Sequence, residues 1–163
     1  LATEDGNSMF LIPTDGATDF LDISALRRSD VFDWLQASGA RSVTVFLDTC
    51  FSGGTRGDEV LVADNRGIGI SAKDQSVPDS FTVMSAATGT QASTSLPEAQ
   101  QGLFSYFLMR GLEGDADAND DRKITTGELH AFVAANVAMQ AQRLGKDQTP
   151  QIEGDPHRVL VAW

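Results

Sequence analysis

The sequence predicts an α/β protein, and three observations carry that expectation. Ser42-Val43-Thr44-Val45-Phe46-Leu47 and Phe81-Thr82-Val83-Met84 are short apolar, β-branched runs, the pattern of strands buried on both faces. Leu103, Phe104, Phe107 and Leu108, and later Leu129, Phe132, Val133 and Val137, recur at helical spacing. Strand and helix patterns alternate along the chain, which predicts a mostly parallel sheet flanked by helices in a three-layer α/β/α arrangement.

The elements follow in order. Residues 1–7 are polar and read as a loop. Ser8 to Pro13 is a short strand, closed by the turn Pro13-Thr14-Asp15-Gly16. Ser29 is placed to cap a helix with Val31, Phe32 and Leu35 on one face and Gly39 just past its end. The strand ending at Leu47 comes next. Residues 51–80 are rich in Gly, Asp and Ser, with Val60-Leu61-Val62 and Ile68-Gly69-Ile70 as apolar islands, and read as a flexible loop open to processing. The strand from Phe81 leads into a polar loop, Ser85 to Ser95. Two helices follow, and Arg158 to Trp163 reads as a closing strand.

At 163 residues, one domain over 1–163 is expected. The formal net charge of −11 argues against nucleic acid or an anionic membrane as partner, because phosphate binding needs clustered Lys and Arg. A single cysteine excludes an internal disulfide framework and suits a reducing, cytoplasmic compartment. No run is long and apolar enough to predict a membrane span.

That cysteine, Cys50, is the candidate nucleophile. The strand ending at Leu47 breaks into Asp48-Thr49-Cys50-Phe51-Ser52-Gly53-Gly54, so the thiol falls at the carboxyl end of a buried strand. Open α/β sheets bind ligands there. Paired glycines leave room for a substrate and let backbone N–H groups face it. An inert structural cysteine is the plain alternative. Cys50 to Arg56 also matches C-x-x-G-x-x-R, the pattern of cysteine-dependent phosphatases. That chemistry needs a helix starting after the Arg to face the phosphate. The acidic Gly57-Asp58-Glu59 tract follows instead, and Asp48 would repel the anion.

Val45 to Gly54, with its D-x-C-x-S-G pattern, resembles the caspase-like cysteine peptidases of clan CD (peptidase C14), above all the metacaspases and bacterial orthocaspases. Phe10 to Asp15 resembles the strand and Asp that follow the family's catalytic His. Phe81 to Ser93 resembles its substrate-pocket strand and loop, and Gln148-Thr149-Pro150-Gln151 the segment before its last strand. In caspases the His lies roughly fifty residues before the Cys, which falls ahead of Leu1. The expectation is therefore a C-terminal portion of a caspase-like domain from a bacterial protein, lacking the first strands and the S-G-H-G motif, and inactive by itself. His130, in a predicted helix, and His157, in a predicted turn, do not fill the role.

The resemblance implies a cysteine endopeptidase acting through a Cys–His dyad. Cys50 would attack the scissile carbonyl, the His would move the proton, and the Cys50 backbone N–H would hold the oxyanion. Asp48 and Ser85 would line the S1 pocket. An Asp there favours Arg or Lys at P1 by a charge-assisted hydrogen bond; its plain alternative is a strand-end cap. Protein or peptide substrates with basic P1 residues are the implied partners, together with the rest of the domain that carries the His. Arg56, Arg66 and Lys73 are candidate self-cleavage sites. A catalytically inactive caspase-like binding module is the other class of reading.

Asp117 to Glu128 fits the spacing of an EF-hand calcium loop. Oxygen ligands fall at Asp117, Asn119, Asp121, Lys123 (backbone), Thr125 and Glu128, with Ile124 at the apolar eighth position. Arg122 stands where the pattern has Gly, at a cost of about 1 kcal/mol if φ must be positive. The competing expectation is a metal-free capping box, Thr125-Thr126-Gly127-Glu128. Metacaspases use a different acidic cluster, near Asp15, Asp19 and Asp22 here. The peptidase chemistry itself needs no cofactor, so calcium would be an accessory.

Overall fold

The computed structural model describes residues 9–13, 15–49, 77–88, 91, 93–96 and 101–163. Strand β1 (Phe10–Leu11) pairs antiparallel with β2 (Leu26–Arg27), and a 3-10 turn (Thr18–Phe20) and α1 (Leu21–Ser24) lie between them. Helix α2 (Arg28–Ala37) then leads to β3 (Val43–Leu47), and β4 (Phe81–Ser85) follows. Next come the short pair β5 (Ser95–Leu96) and β6 (Gln101–Gly102), then α3 (Leu103–Arg110) and one wide helical turn (Gly111–Asp115). Strand β7 (Lys123–Thr125), α4 (Thr126–Arg143), β8 (Gln151–Gly154) and β9 (Val159–Ala162) complete the chain.

Helices and strands are mixed through the chain, as the α/β reading expects. The central sheet has the order β3-β4-β8. Strands β3 and β4 are parallel in the register Val43↔Phe81 to Leu47↔Ser85. Strand β8 runs antiparallel to β4, with Ser85 opposite Gln151. The expectation of a mostly parallel sheet is thus met by one strand pair only. Among the described residues the other pairings are antiparallel.

Alternation along the strands separates two apolar layers. Val43, Val45 and Leu47, with Phe81 and Val83, pack against Phe32 and Leu35 of α2. Phe46 and Met84 face the other way, into a larger core with Leu103 and Phe104 of α3 and Leu129, Val133, Val137 and Ala141 of α4. The sheet is therefore covered on both faces. That explains why its strands read as continuous apolar runs rather than alternating ones.

Three boundaries differ from the sequence expectation. Helix α2 begins at Arg28 with Arg27 at the N-cap, so Ser29 lies inside it and its hydroxyl meets Asp30 instead of capping. Arg28 is drawn inward, with its guanidinium on Glu153 and over the Phe32 ring, and this anchors the first turn. The closing strand does not enter the central sheet: β9 pairs with β7, whose existence the acidic loop had concealed. Helix α4 extends to Arg143, well beyond the apolar repeat that announced it. Gly39 does end α2, at φ 72°. The islands at 60–62 and 68–70 lie outside the described residues.

Candidate functional site

Asp48 immediately follows β3, and Ser85 is the last residue of β4, so both sit at the carboxyl ends of the two parallel strands. The strands are tied there by the Ala86 N–H donating to the Leu47 carbonyl at 2.9 Å. The Asp48 carboxylate turns toward the start of α3. Its Oδ2 accepts from the Ser105 hydroxyl at 2.6 Å. It also lies flat against Gly102, the N-cap residue of α3: a Cβ on Gly102 would stand 2.4 Å from that oxygen.

A closed path of bonds surrounds this carboxylate. From Leu47 it crosses to Ala86, whose carbonyl accepts from Gln148 Nε2 at 3.0 Å. Gln148 Oε1 accepts from the Thr94 N–H at 2.7 Å, and the Thr94 carbonyl accepts from the Leu103 N–H at 2.8 Å. Two residues along α3, Ser105 returns the path to Asp48. Gln148 is 1% exposed and both of its amide atoms are used. Next to it, the Thr149 N–H donates to Gln91 Oε1 at 2.8 Å. The loop after β4 and the segment before β8 are therefore one hydrogen-bonded unit beside Asp48.

The sequence pointed to Asp48, to Ser85 and to the Gln148–Gln151 segment, and the structure gathers all three at one edge of the sheet. It did not point to Ser105, Gly102 or Gln91. The only signal for Ser105 is a polar residue set between the apolar pairs 103/104 and 107/108. Cys50, including its backbone N–H, lies outside the described residues, as do Arg56, Arg66 and Lys73. His130 brings its Nε2 to the Pro150 carbonyl at 3.2 Å, and the His157 N–H donates to Asp155 in the exposed turn before β9. The His130 ring is thus occupied locally, and His157 is held through its backbone.

The acidic loop has a definite internal geometry. Asp117 accepts from the N–H groups of Asp121 and Arg122 at 3.2 and 3.0 Å, and Asn119 accepts from Asp121 at 2.9 Å. Asp121 accepts from the Lys123 N–H at 2.9 Å. Arg122 adopts φ 61°, the left-handed conformation expected at the glycine position, and Asp120 does the same at 59°. Thr125 caps α4 in a reciprocal box with Glu128, whose Oε2 accepts from the Thr125 N–H at 2.9 Å and from its hydroxyl at 2.8 Å. The capping-box expectation is met. Glu128 is turned to the helix end, and among the described residues no three His, Cys, Asp or Glu side chains form a metal-holding group. In the early acidic stretch, Asp22 is paired with Arg27.

No model of a known protein family matches the chain, and no curated protein matches it either. Among the described residues, no helix is long and apolar enough to cross a membrane.

Proposed function

We propose that this chain carries the nucleophile and the S1 pocket of a caspase-like cysteine endopeptidase that cleaves after Arg or Lys. The observation that carries the reading is Asp48. It is a carboxylate oriented at the carboxyl end of a sheet strand, beside the end of β4, two residues before the chain's one cysteine. A cationic P1 side chain would pair with it.

In this mechanism the Cys50 thiolate attacks the scissile carbonyl and the oxyanion rests on the Cys50 N–H. Collapse of the tetrahedral species expels the amine, protonated by a His, and leaves a thioester. Water activated by the same His hydrolyses it and regenerates the thiol. The His130 ring is engaged with the Pro150 carbonyl and His157 lies in the exposed turn before β9, and the resemblance implies that the catalytic His falls ahead of Leu1. The Ser105 bond and the close approach of Gly102 favour a second reading, in which Asp48 only anchors the start of α3 and the domain is an inactive binding module.

The full-length protein separates the two. Cys50→Ala should abolish cleavage of Arg- and Lys-P1 peptides while leaving the fold intact. Asp48→Asn should leave the thiol reactive toward a small alkylating agent and lower Arg-P1 turnover by one to two orders of magnitude, the equivalent of about 1.5–3 kcal/mol. An Asp48→Asn protein with wild-type preference for Arg over Ala at P1 would leave Asp48 as a cap.

A further inference from the structure

We infer that Ser105 is a specificity-determining residue, a positioning group that presets the Asp48 carboxylate for a cationic P1 side chain. The inference rests on the peptidase reading above and assigns a part that the cysteine motif does not contain.

Three features carry it. First, the Ser105 hydroxyl is committed to Asp48 Oδ2 at 2.6 Å. Second, Ser105 is held by its neighbours: Leu103 and Phe104 are fully buried in the main core, so the first turn of α3 cannot shift without disturbing that packing. Third, Gly102 lies close to the same oxygen: a Cβ there would collide with Oδ2. Both contacts restrain the Oδ2 end of the Asp48 side chain. Pairing with a guanidinium depends on the plane of the carboxylate, so an orientation fixed beforehand lowers the ordering cost when substrate arrives.

In this assignment Ser105 takes no part in bond making or breaking. Its effect should therefore reach the substrate through Asp48 alone and depend on the P1 residue. In the full-length enzyme, Ser105→Ala should lower kcat/KM for an Arg-P1 peptide about tenfold. Most of the loss should fall on KM, with alkylation of the Cys50 thiol unchanged. Ser105→Thr, which keeps the hydroxyl, should restore most of it. In an Asp48→Asn background the Ser105→Ala loss should vanish, since coupled residues are not additive. Gly102→Ala supplies an independent displacement of the same carboxylate and should reproduce the loss; its φ of −68° accepts alanine without backbone strain.

An equal Ser105→Ala loss with and without the Asp48 carboxyl overturns the inference, as does an unchanged Arg-P1 rate in both Ser105→Ala and Gly102→Ala. In either case the peptidase reading stands. A wild-type protein that cleaves no Arg- or Lys-P1 peptide overturns that reading, and the assignment of Ser105 with it.

Discussion

Gln148 has the most demanding polar environment at the edge of the candidate pocket. It is buried, and its two amide atoms serve backbone groups on two different segments, Thr94 and Ala86, that are themselves buried. A buried N–H or carbonyl left without a partner costs about 1–3 kcal/mol. Gln148→Ala should therefore lower unfolding stability by roughly 2–6 kcal/mol, as both groups lose their partner at once. Urea unfolding with an unchanged slope and a lower midpoint is the expected record. A midpoint within error of wild type would mean that water or a rearranged loop serves those groups equally well. Glutamate is no substitute, since a carboxylate cannot donate to the Ala86 carbonyl.

At the scale of elements, the helix–loop–helix from α3 to α4 poses the sharpest choice. The oxygen atoms of Asp117, Asn119 and Asp121 already organise the loop through backbone N–H groups, and Glu128 holds the Thr125 end of α4. Calcium binding, which we carry as a proposal, requires Glu128 to leave Thr125 and turn into the loop. That rearrangement, with the Arg122 cation at the glycine position, predicts weak affinity, with a dissociation constant on the order of 10⁻⁴ to 10⁻³ M. Calorimetric titration of wild type should show this binding, and Glu128→Gln should abolish it while keeping much of the cap. Equal heats in the two proteins, or none in either, would identify the loop as a capped turn alone.

For the whole molecule, the peptidase reading predicts self-cleavage. Arg56, Arg66 and Lys73 follow the nucleophile within the same connection from β3 to β4, so any cut there would be made close to Cys50 in sequence. Tethering raises the effective concentration of such a segment at its own site far above that of a free peptide. Mass spectrometry of the full-length protein, incubated under active conditions, should find termini after one of the three residues. The Cys50→Ala protein should stay intact. A wild-type chain that remains whole while cleaving Arg-P1 peptides would remove these sites from the proposal and leave the peptidase assignment untouched.

Local pattern was enough to locate the strands at Val43–Leu47 and Phe81–Ser85, both helical repeats after residue 102 and the Thr125–Glu128 cap. Each depends on residues a few positions apart, where side-chain periodicity and capping chemistry act directly. The alternation of Val45 and Leu47 against Phe46 even contains the division into two apolar layers. The strand pattern sets Asp48 and Ser85 at strand ends, whereas their assignment to a pocket rests on the caspase-like resemblance. Tertiary structure alone decided that β8 runs antiparallel, that β9 leaves the central sheet for β7, and that Arg28 turns inward to Glu153. It also decided what surrounds Asp48. Ser105 meets Asp48 across 57 positions of the chain, and Gln148 reaches Ala86 across 62. A serine or a glutamine carries no mark of which distant backbone will face it. Such pairings arise only once the packing of Leu103, Phe104 and Met84 has brought the segments together, because hydrophobic burial sets the positions and the hydrogen bonds then select among them.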